Sequence, residues 1–219
     1  MTEPDVTLSD YALFVECIVF AWLILRTGTT SLSMRRWTSL FFAFTAIAAL
    51  LGGTVHGFFV ENQTLPGRVL WKGSLLSIGA AALAAWGMGA HMRRDSPLAR
   101  AVTRTAAIIT ALYSLVVIFV SDAFSVAIAG YLPAALFLLA SFASLSSDRT
   151  LRASSRLGIA GLLLTFAAAF VQQSRIALHS LYFNHNALYH LVQAVAVAMI
   201  FFSCRRLLAL DGGPHADEA

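Results

Sequence analysis

The chain has 219 residues, of which 58% are hydrophobic and 12% charged, and its mean hydropathy is +0.76. A soluble domain carries about 45–50% apolar and about 25% charged residues, so this composition excludes one. The formal net charge is +4 with a pI near 9.5. No basic-aromatic RNA-binding motif, phosphate-binding glycine loop or internal repeat accompanies that charge, which therefore points to anionic lipid rather than nucleic acid.

The apolar residues fall into seven blocks, 11–25, 38–59, 69–92, 101–120, 124–145, 157–171 and 186–204. Their lengths approach the roughly 20 residues that cross a hydrocarbon core as a helix. They are apolar on every side, unlike barrel strands of about ten alternating residues, so each is expected to be a helix.

Within the first block stands Glu16, beside Cys17, and Arg26, Arg35 and Arg36 follow it. The second ends GGTVHGF, where Gly52, Gly53 and Gly57 permit close approach to a neighbour and Thr54 precedes His56. Trp71 and Lys72 open the third, which is followed by Arg93 and Arg94; Arg100 and Arg104 flank the start of the fourth. Pro133 predicts a kink in the fifth. Arg149, Arg152 and Arg156 precede or begin the sixth, and Gln172 and Gln173 close it. The seventh opens FNHNALYHLVQ, with Asn186, His190 and Gln193 on one helical face, and ends before Arg205 and Arg206. Cys17 and Cys204 read as small apolar filler rather than a disulfide.

Twelve of the 15 Lys and Arg residues lie on one side of this arrangement, leaving Arg68, Lys72 and Arg175 on the other. The positive-inside rule then predicts an outside N-terminus and a cytoplasmic C-terminus. The expected fold class is an all-α integral membrane protein, a seven-transmembrane helix bundle. Residues 1–10 form an extracytoplasmic N-terminal segment, 11–206 the transmembrane domain and 207–219 a disordered cytoplasmic tail. The acidic start MTEPDVTLSD lacks the basic region of a cleavable signal. The expected location is a bacterial inner (plasma) membrane, with multiple passes.

Ionisable groups inside a bilayer are costly, and here they collect at one depth near the outer surface. Glu16, His56, Lys72 and His190 come from four different helices to that layer. Two histidines with a carboxylate nearby suit zinc, which lowers the pKa of bound water toward about 7 and supplies hydroxide for attack on an amide or ester carbonyl. His56 and His190 supply two ligands; His185, Asn186 and Glu16 are the candidates for a third.

These residues resemble the CREST superfamily of seven-helix membrane hydrolases, which includes alkaline ceramidases and the adiponectin-receptor-like PAQR proteins. The resemblance rests on GGTVHGF with His56, on HNALYHLVQ with His190, and on Glu16 in FVECIVFAW. It implies a zinc ion held by one helix-2 and two helix-7 histidines, and hydrolysis of lipid amides. The chain departs from that pattern at three places. Gly52 stands where the family has serine, leaving Thr54 as the nearest hydroxyl; Asn186 replaces a histidine; and Lys72 stands where an aspartate is usual.

The candidate site is therefore Glu16, Thr54 and Lys72 for catalysis, His56, His185 and His190 for zinc, and Asn186, Gln193 and Trp71 for ligand. Two readings follow. One is a zinc-dependent hydrolase acting on a lipid amide or ester near the outer leaflet. The other is a non-catalytic seven-helix protein that binds a membrane lipid or small molecule through the same polar groups.

Overall fold

Lipid offers the backbone no hydrogen-bond partner, so an apolar segment of this length satisfies its own N–H and C=O groups by coiling into a helix. The computed structural model, which describes residues 1–59, 64–92, 96–179 and 183–212, contains seven such helices. They are α1 (Pro4–Leu25), α2 (Leu32–Phe58), α3 (Leu65–His91), α4 (Pro97–Phe119), α5 (Phe124–Leu145), α6 (Arg152–Gln173) and α7 (His185–Asp211). All seven are long and apolar enough to cross a membrane.

Each predicted block contains a helix, and most helices run past their block into polar sequence. Helix α1 begins at Pro4 rather than at residue 11. Proline at the first turn lacks an N–H that would be unpaired there anyway, and Asp5 in that turn complements the helix dipole. Residues 4–10 are thus helical and continuous with the rest of α1. At the other terminus α7 continues to Asp211, so residues 207–211 of the expected tail are helical, while 213–219 lie outside the described residues.

Six helices close a ring in the order α1, α2, α3, α5, α6, α7, and α4 leans on α3 outside it. Hydrogen bonds between elements fix which helix ends meet. At one end Thr2 N–H donates to Gly57 O, Lys72 Nζ to Ile118 O, Trp71 Nε1 to Asp122 O and Asn184 N–H to Asp5 Oδ2. This end, where α1, α3, α5 and α7 start, is called the site end below. At the opposite end Asp211 Oδ2 accepts from Thr29, Thr30 and the Ser31 N–H, tying α7 to the α1–α2 turn.

The half of the ring away from the site end is close-packed. Phe20 stacks on Phe201 at 4.0 Å between centroids, and Phe42 meets both rings edge-on. Phe142, Leu138, Leu162 and Ile200 are shut off from solvent around them. Small residues let backbones approach where side chains would hold them apart. At Gly53 an added Cβ would sit 2.8 Å from Asp10 Cβ, so glycine there is what lets α2 press against the start of α1. Cys17 and Cys204 are both buried and free.

Candidate functional site

Helix α1 buries a seam of Val6, Asp10, Leu13, Cys17, Ala21 and Ile24, spaced three or four residues apart. Asp10 therefore occupies a core position and is 4% exposed. Its Oδ1 lies 3.2 Å from Nε2 of His190, itself 9% exposed on α7. The other ring nitrogen, Nδ1, lies 3.2 Å from Ser9 Oγ. Ser9 Oγ also reaches the Val6 carbonyl at 2.9 Å, so Ser9 ties one side of the His190 ring to the start of α1 while Asp10 holds the other.

A second histidine–carboxylate pair lies nearer the rim. His56 Nδ1 meets Glu3 Oε2, with the two side chains 23% and 31% exposed. Backbone bonds from Thr2 and Glu3 to the last carbonyls of α2, together with the Asp5–Asn184 contact, strap the N-terminus across the starts of α1 and α7 and the end of α2.

Below this strap the ring encloses a cavity of about 250 Å³, lined by all six ring helices and by none of α4. Its polar lining comprises Asp10, Thr45, His56, Trp71, Ser74, Tyr131, Thr165, Gln172, Asn186, Tyr189, His190 and Gln193, and among the described residues no Lys or Arg takes part. At a rise of about 1.5 Å per residue, all of these but Thr45 lie within about 14 Å of the site end along their helices, and Thr45 gives its hydroxyl proton to the Phe41 carbonyl of its own helix. Phe41 and Ala81, about 24–26 Å along α2 and α3 from that end, border the deep part. Leu132 lines the cavity and is also 43% exposed, so α5 leaves part of it open to the bundle's flank.

The residues picked from sequence divide in two. His56, Trp71, Asn186, His190 and Gln193 line the cavity, whereas Glu16, Thr54, Lys72 and His185 do not. Lys72 donates instead to the Ile118 carbonyl, capping the last turn of α4 as a cation at a helix C-terminus does. Thr54 donates to the Leu50 carbonyl one turn back and meets the Tyr11 hydroxyl at 3.1 Å. Glu16 stands on α1 between exposed Val15 and Val19, and has no hydrogen-bond partner among the described residues. Asn184 caps α7, accepting from the Asn186 and Ala187 N–H groups. Asn186 is thereby left to the lining, with its Oδ1 3.5 Å from Gln172 Nε2.

Sequence reasoning missed Asp10, Ser9, Ser74, Tyr131 and Tyr189. The signal for Asp10 was the three- and four-residue spacing from Val6 through Leu13 to Cys17, which extends the helical period into the acidic start.

The donor set was compared with the zinc centre that the resemblance implies. Both His190 nitrogens are engaged by Asp10 and Ser9, His56 is held by Glu3, and His185 is outside the cavity lining. Among the described residues no three His, Cys, Asp or Glu side chains form a group that could hold a metal ion. This arrangement does not fit a three-histidine site.

Fold and site together define a seven-helix bundle of membrane-crossing length around an amphipathic cavity, polar at one end and apolar within. The chain belongs to DUF6962, a family of unknown function, whose match spans residues 6–209 and so includes both Asp10 and His190. No curated protein and no solved structure matches it.

Proposed function

We propose that this is a multi-pass membrane protein whose cavity binds an amphiphile, a lipid or lipid-like small molecule, without catalysis at a metal. The head lies among Asp10, Tyr189, His190 and Gln193, and the tail runs toward Phe41 and Ala81. The observation that carries this reading is the polarity gradient along one cavity: buried hydrogen-bonding groups near the site end and hydrocarbon below them. Such a lining matches an amphiphile and leaves either half unsatisfied by water or by hydrocarbon alone.

Orientation follows from charge. Arg26, Arg35, Arg36, Arg100, Arg104, Arg149, Arg152, Arg156, Arg205 and Arg206 flank the helix ends opposite the site. The positive-inside rule assigns that end to the cytoplasm, which sets the cavity in the outer leaflet of a bacterial plasma membrane. The flank at Leu132 then gives a lipid its way in from the bilayer.

The test is solvent extraction and mass spectrometry of protein purified in mild detergent. An amphiphile retained near one per chain, and lost in Ala81→Trp, which fills the deep end, is the expected result. No retained amphiphile overturns the reading. Zinc near one per chain that disappears in His56→Ala and His190→Ala would favour the metal-dependent hydrolase instead.

A further inference from the structure

We infer that the amphiphile is single-chained and carries an uncharged, hydroxyl-bearing head, an assignment that rests on the cavity being an amphiphile site. Charge is the first argument. Among the described residues no Lys or Arg lines the cavity, and Lys72, next to the lining residue Trp71 in sequence, is committed to the Ile118 carbonyl. His190 is already held by Asp10 and Ser9, and His56 already has Glu3. An anionic head such as a carboxylate or phosphate would enter this low-dielectric space without a counter-charge. A cationic head would find only a carboxylate that His190 already satisfies.

Hydrogen bonding is the second. Gln193 is 8% exposed, lines the cavity, and its Oε1 has no hydrogen-bond partner. Such an orphaned acceptor is uncommon in a folded protein and asks for a donor from outside it. Its amide turns easily about the last torsion, which is broad, and so reaches a group in the cavity. Tyr131 and Tyr189 also line the cavity, and neither hydroxyl has a hydrogen-bond partner among the described residues. A hydroxyl head both donates and accepts, so one such group serves Gln193 and a tyrosine together.

Size is the third. The cavity, about 250 Å³, falls just below the range of about 300–1,000 Å³ in which drug-sized ligands are held. It admits a compact head with part of one chain, the remainder leaving along Leu132, and does not admit two chains.

The experiment is native mass spectrometry of the full chain in nanodiscs, titrated with three probes of equal chain length: a monoacylglycerol, the free fatty acid and the primary amine. The monoacylglycerol is expected to bind at least about tenfold more tightly than either charged probe, and Gln193→Leu to weaken it about tenfold, the equivalent of one hydrogen bond. Tyr131→Phe and Tyr189→Phe preserve shape and keep the test open should Gln193→Leu not fold; one or both weaken the monoacylglycerol selectively. Equal or tighter binding of the acid or amine overturns the head assignment and leaves the cavity reading standing, as does unchanged monoacylglycerol binding in all three variants. Failure of every probe to bind overturns both.

Discussion

The two halves of the ring are built from the same helices, yet they solve opposite problems. Away from the site end, Phe20, Phe42 and Phe201 interlock with Leu138, Phe142 and Leu162 and leave little room between them. Toward the site end the same helices stand apart around about 250 Å³ and turn Asp10, Tyr131, Tyr189, His190 and Gln193 inward. In lipid, hydrocarbon against hydrocarbon gives no preference between a neighbouring helix and a fatty chain; fit and polar pairing decide. The packed half therefore holds the bundle together, and the open half, where Asp10 and His190 hold each other while Gln193 Oε1 is left without a partner among the described residues, is where something else can bind.

The largest break in that contrast comes from removing one member of the buried pair. Asp10→Ala strands His190 and is expected to lower stability by about 3–5 kcal/mol, whereas Asp10→Leu combined with His190→Leu recovers most of it. Denaturant titration in detergent checks both. Next, Leu162→Ala opens the packed half, lowering stability by about 2–5 kcal/mol while leaving amphiphile retention unchanged, because Leu162 is fully buried and outside the cavity lining.

A smaller effect of opposite sign is expected at Arg175, which holds φ 54 just beyond α6 with its N–H on the Gln172 carbonyl, a glycine-type cap made by a side-chain-bearing residue. Arg175→Gly relieves that strain and raises the melting temperature, by an amount equivalent to at most about 1 kcal/mol. The smallest belongs to the rim pair. Glu3→Gln costs under about 1 kcal/mol, because both partners reach solvent. A loss at Glu3 as large as that at Asp10 would erase the distinction between rim and interior.

Much of the fold was legible because each apolar block is long and apolar on all sides, and the block at 124–145 coincides with α5. The ends were not, since Pro4 and Asp5 start a helix by capping chemistry that a hydropathy reading passes over. That boundary hid Asp10, and with it the partner of His190. His56, Trp71, Asn186, His190 and Gln193 share one cavity lining, but depth along the chain says nothing about which way a helix face turns. Lys72 shares the layer and faces the end of α4, whereas the early start of α1 at Pro4 puts Glu16 about 18 Å from the site end, between exposed positions. Tyr131 and Tyr189 lie inside apolar blocks with nothing in their spacing to set them apart, and only the closing of six helices into a ring turns them to the cavity.

The central claim, that the open half holds an amphiphile, is tested most directly by photo-crosslinking with a monoacylglycerol that carries a diazirine in its chain, followed by peptide mapping. The account predicts labels on cavity residues such as Phe41, Ile78 and Leu132, competed away by unlabelled monoacylglycerol and absent in Ala81→Trp. Labels spread over the exposed face of α4, at Ile108, Leu112 and Leu115, that neither competitor nor substitution removes would mark ordinary surrounding lipid and contradict it.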